Sequence, residues 1–412
     1  MMKFLALVAC ITHALIMAEN TLTENDGLIE IPLHRMESGL KLLLRQGADL
    51  KLIEGLYEMA RSKGSPKKQV LEDGTVVPSN TTLPLFKYFN TEFYGVINIG
   101  KPGRPFKMFM DTAWAYSWVI SEDCSRANLA CAVHERYDHS RSSTYQPNGK
   151  PFNVSEHIGY LSSDVFLVGQ LNVTGQGFVE ITYLPWIFAL YAGDGTIGLG
   201  LKDLSPRVTP FFYNFLLQNR LKEPIFSFYI NRDPTTTRGG SVFFGGINYK
   251  HNKTAFTEID INSKVYWQFA VDKISVVISK KSRVDFCKNG CNALSDTSSN
   301  AIEGPVEEIT AINRLIGADR VFISGIYLIP CSQEYKGPKI TFTINNKNFT
   351  IKAQNYIQKI SYSGFTMCLS AFQPAAPSTV ASNTWVIGGA FFYQYYTAYD
   401  VARNKIMIAE VA

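Results

Sequence analysis

Charge is scarce in this sequence. Asp, Glu, Lys and Arg make up 18% of its 412 residues, and the net charge is only +5. The longest basic runs are two pairs, Lys67-Lys68 and Lys280-Lys281, which read as solvated surface and exclude a nucleic-acid-binding stripe. Long apolar runs are lacking beyond the N-terminus, so no transmembrane segment is expected. Histidines at ligand spacing beside close cysteine pairs are also missing, which excludes a structural zinc module. Two decoys fall for similar reasons. Gly193–Gly198 reads G-x-G-x-x-G, but no helix, following βα unit or distant acidic partner accompanies it, so no dinucleotide site is expected. His134, Asp138 and His139 do not make a ligand set at definable spacing and read as a surface loop. Neither a metal nor a cofactor is expected.

What is present points to the secretory route. Lys3 precedes the apolar run FLALVACITHALIMA, which ends at Ala18 before Glu19 and Asn20, so residues 1–18 read as a signal peptide. Removing it takes away Cys10 and leaves Cys124, Cys131, Cys287, Cys291, Cys331 and Cys368. An even number in an oxidising compartment suggests disulfides, with fifteen pairings open by counting alone. Sequons at Asn80, Asn153, Asn172, Asn252 and Asn348 fit a secreted glycoprotein.

Residues 19–82 read as a unit of their own. One strand-like run precedes Leu40, Leu43 and Leu44, and later Leu50, Ile53 and Leu56, at helical spacing. The stretch GSPKKQVLEDGTVVPSNTT then looks like an exposed, cleavable linker. From Leu83 onward, short aromatic and β-branched runs such as YGVINIG, FVEITYL, FSFYIN, KITFTINNKNFTI and WVIGGAFF are strand-like. Few stretches carry helical periodicity for long, PFFYNFLLQNRL and PVEEITAINRLIGA being the best, so the chain is mainly β.

A coarse repeat organises these strands. Asp111-Thr112 follows an apolar run, and TIGLG comes later around Gly198. Asp296-Thr297 follows CNALS, and WVIGG comes at a similar distance around Gly388. Two related lobes facing one another would bring both aspartates to the seam. Two carboxylates held roughly 3 Å apart share one proton, and such a pair can activate water and protonate a peptide carbonyl without a metal.

With these residues in view, the chain resembles the pepsin-like aspartic peptidase family, and its cathepsin D-like members above all. The resemblance runs through IPLHRMES, FYGVINIGKPGRPFKMFMDT, HERYDHSRSSTYQPNGKPFNV, GDGTIGLGL, FSFYINRDP, YWQFAVDKISV, CKNGCNALSDTSS, YLIPC, MCLSAFQ and WVIGGAFFYQYYTAYDVARNKIMIAE. It implies a bilobal β fold with a peptide cleft between an N-terminal lobe, residues 83–258, and a C-terminal lobe, residues 259–412. It implies catalytic Asp111 and Asp296, supporting Thr112 and Thr297, and cleft residues Ala113, Trp114, Ser298 and Ser299. It also implies disulfides Cys124–Cys131, Cys287–Cys291 and Cys331–Cys368, with residues 19–82 a prosegment and linker and Lys63 a candidate to contact the dyad. The expected partners are a polypeptide substrate or peptide-like ligand and the chain's own prosegment, in a secreted or lysosomal monomer.

The departures from the family are specific. Ala113-Trp114 and Ser298-Ser299 stand where the family has Gly-Ser and Gly-Thr or Gly-Ser, and Gly389 stands where it commonly has an aspartate. Each third-position substitution adds a Cβ, costing roughly 1–2 kcal/mol if the site needs positive φ. The flap segment FNVSEHIGYLSSD is short, which puts Tyr160 on the returning strand and His157 at the turn, where a surface position is expected. Two readings follow: an aspartic endopeptidase of reduced activity, or a catalytically impaired binding or storage glycoprotein.

Overall fold

The computed structural model describes residues 28–45, 69–70, 76–77 and 91–412, apart from 155–156, 170, 219–220, 234, 280, 322–325, 363–364 and 376–382. Lys63, Leu50, Ile53, Leu56, Asn80 and the signal peptide lie outside the described residues, as does most of the linker. Within that linker, Gln69–Val70 and Val76–Val77 pair as a short antiparallel hairpin, which its turn-rich composition did not announce.

The fold is mainly β and has the bilobal, pepsin-like arrangement of several sheets. Its N-terminal part is built from β1 (Ile29–Arg35), the linker hairpin β2 (Gln69–Val70) and β3 (Val76–Val77), then β4 (Phe93–Ile99), β5 (Arg104–Asp111) and β6 (Trp118–Ile120). The flap hairpin follows, β7 (Gln146–Val154) and β8 (His157–Val168), and then β9 (Leu171–Tyr183), β10 (Gly195–Gly198), β11 (Ile225–Ile230) and β12 (Arg238–Phe244). Alternation sets which faces are inside: β1 reads buried at Ile29, Ile31 and Leu33 and partly exposed between them.

The sequence repeat becomes two copies of one strand arrangement. In the first, β10 runs parallel to β5, with Gly198 opposite Asp111, and antiparallel to β6. In the second, Thr384–Ile387 runs parallel to Cys291–Ser295, with Ile387 opposite Ser295, and antiparallel to Ile302–Gly304. Asp111 is thus the last residue of its strand and Asp296 the first after its own, at equivalent points of the two lobes. Leu199 N donates to Asp111 O at 2.8 Å, and Asp296 N donates to Ile387 O at 2.9 Å. The lobes share a large sheet in which the C-terminal strands Tyr395–Asp400 and Lys405–Glu410 lie beyond β11 and β12. Under it, Phe226 stacks on Tyr399 at 4.7 Å, and Trp267 meets both edge-on. The Trp267 Nε1–H, fully buried, is satisfied by Leu199 O at 2.9 Å.

Two local expectations change. WVIGGAFF does not stay a strand: Gly389–Phe392 is a helical turn, where Gly389 N and Ala390 N donate to Ser299 and Asn300 carbonyls. Gly193–Gly198 contains the buried strand β10, so the glycines serve packing. All three disulfides pair as the resemblance implied.

Gly388 shows how tight the seam is. A Cβ there would stand 2.2 Å from Ala301 O and 2.4 Å from Ser299 O, both backbone atoms. Gly388→Ala is expected to destabilise by about 1–3 kcal/mol through overpacking, read as a lower denaturation midpoint at unchanged m-value.

Candidate active site

The site begins with two threonines that exchange places. Thr112 Oγ1 donates to Ser295 O at 2.8 Å, and Thr297 Oγ1 donates to Met110 O at 2.7 Å. In return, Thr112 N donates to Thr297 Oγ1 at 3.2 Å, and Thr297 N to Thr112 Oγ1 at 3.1 Å. Four bonds tie the loop after one aspartate to the loop after the other. Each hydroxyl both donates and accepts, so neither the buried Thr112 nor the half-buried Thr297 is left unsatisfied.

The aspartates are buried, Asp111 completely and Asp296 to 1% exposure. Each Oδ1 accepts the backbone N–H two residues on, Ala113 N at 2.8 Å and Ser298 N at 2.9 Å. The third-position substitutions thus leave this contact intact. Neither Ala113 nor Ser298 has positive φ, so the feared left-handed strain is absent. Ser298 adds something a glycine could not: its Oγ donates to Asp296 Oδ1 at 2.7 Å. Ala113 offers Asp111 no such hydroxyl, so the two aspartates are unequal. Behind Asp296, Tyr399 shares a 2.6 Å hydrogen bond with Ser295 Oγ, and burial pushes its phenol up to about 12. Ser299 Oγ accepts from Ala301 N at 3.2 Å and braces its own loop.

Gly389 is explained by its neighbour. A Cβ there would lie 2.1 Å from Asn300 Oδ1, so the buried amide of Asn300 fills the space that any larger residue would claim.

The flap hairpin differs from the sequence expectation at one residue. Val154 pairs with His157, so the hairpin turns over two residues. His157 is not at the surface but only 2% exposed. Its ring stacks on Trp114 at 5.7 Å and meets Trp118 edge-on at 5.0 Å. The physical reason is alternation: with the turn so short, the first residue of β8 faces inward, and an imidazole is flat enough to fit between indoles. Tyr160 does lie on the returning strand. Its phenol donates to Asp123 at 2.5 Å and Glu180 at 3.1 Å, which occupies it away from any tip role.

Other residues stand apart from the seam. His134 holds the carbonyls of Ala130 and Tyr191, Asp138 caps a short helical turn through Ser140 N, and His139 meets Glu180. Asn153, Asn172 and Asn348 are exposed and Asn252 is half-buried.

The segment before the first lobe reaches this site. Within the helix Gly39–Arg45, Leu40, Leu43 and Leu44 are buried as the spacing predicted. They share one apolar cluster with Trp114, Trp118 and Leu190 of the N-terminal lobe and Ile326, Ile360 and Leu369 of the C-terminal lobe. Lys41 forms an ion pair with buried Glu92, which also accepts from Tyr393 OH at 3.0 Å. Glu92 had no signal in a single sequence, because its partners are far apart along the chain.

The eukaryotic aspartyl protease family matches residues 92–411. Cathepsin D of Chionodraco hamatus is 32% identical over 410 residues, covering 98% of this chain and 99% of its own length. Cathepsin D of Homo sapiens is 32% identical over 406 residues, covering 93% and 95%. Cathepsin D of Gallus gallus is 31% identical over 395 residues, covering 93% and 94%.

Thr297→Val is expected to break two of the four bonds between the loops and leave Met110 O and Thr112 N unpaired. A loss of about 1–3 kcal/mol for each buried group left unsatisfied sets the scale, measurable by denaturant unfolding. Thr297→Ser, which keeps the hydroxyl, should recover most of it.

Proposed function

The chain belongs to the eukaryotic aspartyl protease family, and from that premise we propose that it is a cathepsin D-like endopeptidase that hydrolyses peptide bonds under acidic conditions, at reduced rate. The observation that carries this reading is the reciprocal threonine exchange, which ties the Asp111 and Asp296 loops together at the seam. It brings the two loops that carry the buried carboxylates to one place, as a shared proton and water require.

In this reading Asp111 and Asp296 share one proton and one water. A hydrogen bond to a carboxylate favours its charged form, and Asp296 accepts two from Ser298, from its N–H and from its Oγ, where Ala113 has no hydroxyl to give. Asp296 therefore keeps the charge and takes a proton from water as the water oxygen attacks the peptide carbonyl carbon. Asp111 gives its proton to the carbonyl oxygen, forming a neutral tetrahedral diol. Collapse of the diol breaks the C–N bond, and a proton passes to the leaving nitrogen. The reduced rate follows from the two-residue flap turn, since a hairpin that covers less substrate orders it less and excludes less water.

The prosegment, residues 19–82 with its linker, blocks the cleft through the Gly39–Arg45 helix and is removed near Leu83. The signal peptide and sequons direct the monomer along the secretory pathway, to be secreted or delivered to lysosomes as a glycoprotein. A second reading is favoured by one observation: Trp114 and His157 fill space beside the dyad with this chain's own rings. On that reading the protein binds a peptide-like ligand in the cleft without cleaving it.

The deciding experiment is acid treatment of the full-length protein, then a peptide-library assay with and without a statine-type inhibitor. Inhibitor-sensitive cleavage that Asp111→Asn abolishes supports the endopeptidase; inhibitor binding without cleavage supports the binding protein.

The unequal dyad makes a separate claim. Ser298→Gly removes a donor to the charged carboxylate, so the acid limb of the pH–rate profile should move to higher pH, because the pair ionises less readily. An unmoved limb would show that Ser298 does not set which carboxylate carries the charge.

A further inference from the structure

Trp114, three residues past Asp111, is the bulkiest departure at the seam. Its ring is 4% exposed, stacked against His157 at 5.7 Å and tilted on Tyr116 at 5.9 Å. Its Nε1–H is fully buried and meets no hydrogen-bond acceptor among the described residues. Trp267, the buried indole nearer the shared sheet, spends its own N–H on Leu199 O. A buried donor left unmade is costly and rare in native proteins, so its retention beside a dyad calls for a use.

The surroundings say when that use arises. Trp114 belongs to the same apolar cluster as Leu40, Leu43 and Leu44 of the helix Gly39–Arg45. Departure of that helix would take three leucines out of the cluster to which the indole belongs. An extended peptide brings backbone carbonyls, strong acceptors that need partners once they leave water. His157 comes from the flap hairpin, stacks on Trp114 and meets Trp118 and Phe188 edge-on. It therefore connects the hairpin to the orientation of the indole by ring packing.

We propose that Trp114 is a substrate-positioning residue. Its indole N–H donates to a backbone carbonyl of the bound peptide, and His157 holds the ring in register for that bond. The inference rests on the reading that the processed chain takes a peptide in this cleft, but not on hydrolysis. The hairpin contributes a ring contact from beneath where a longer flap would cover from above. Trp114 and His157 thus act as one unit, and neither touches the reacting atoms.

The test measures binding of a statine-type peptide to the acid-processed protein by calorimetry, together with the indole 15N–1H resonances. Trp114→Phe keeps a ring and removes the N–H. It should weaken binding roughly 3- to 10-fold, the range of one net hydrogen bond, and raise KM with kcat little changed. His157→Ala should weaken binding by a similar factor and His157→Phe should restore it, and the double variant Trp114→Phe with His157→Ala should lose no more than either alone. In the wild type, the Trp114 indole proton should shift downfield when peptide binds. Wild-type binding matched by Trp114→Phe, with that proton unmoved, overturns the inference and leaves the cleft reading intact. Failure of the wild type to bind overturns both, and binding without turnover removes only the hydrolytic reading.

Discussion

The structure depends on one exchange across its centre, in which each lobe's threonine satisfies the other lobe's backbone. Two buried loops bearing carboxylates cannot simply abut, because their peptide groups would be desolvated without partners. Thr112 and Thr297 solve this with a single hydroxyl each, used twice. Other features follow from the closeness this imposes. Gly198 and Gly388 lie against the backbone of Ala115 and of Ser299 and Ala301, where no side chain fits, and Gly389 yields to Asn300. The constraint is geometric, and the chemistry is placed by it.

Much of this was legible in the residues, because it is periodic or local. The repeated Asp-Thr and hydrophobic-Gly segments became two equivalent strand arrangements, with Gly198 opposite Asp111. Leu40, Leu43 and Leu44 faced one way at helical spacing and were buried together. His157 was misread because burial of a turn residue depends on how many residues the turn holds, and that decides which face alternation starts on. The linker hairpin and the helical turn at Gly389–Phe392 were hidden because four-residue elements carry too little pattern. Glu92 was invisible for another reason. A buried carboxylate paired with Lys41 and Tyr393 is a meeting of three distant stretches, and only the assembled fold brings them together.

The substitutions in the two motifs do not act alike. Ala113 costs the backbone nothing visible, since its N–H still reaches Asp111 and its φ is ordinary. Ser298 is a gain of one bond on one side only. The departure with consequence is Trp114, which fills space and adds a donor. A loss of family residues is therefore not one defect repeated, and the site is better described as asymmetric than as decayed.

The N-terminal strand β1 carries an implication for how this chain matures. It lies inside the shared sheet, with β12 on one side, Ile29 opposite Phe244 and Ile31 opposite Val242, and β4 on the other. A strand in that position is an internal plank: withdrawing it bares hydrogen-bonding edges on both neighbours at once. On the proposed reading, in which this segment is cut away, maturation would be a strand exchange. Another stretch must slide into the slot as β1 leaves, or the severed piece stays seated as a second, non-covalent chain. The first outcome makes the order of cutting and replacement a kinetic gate, because a cut that outruns replacement leaves an open sheet prone to capture its neighbours.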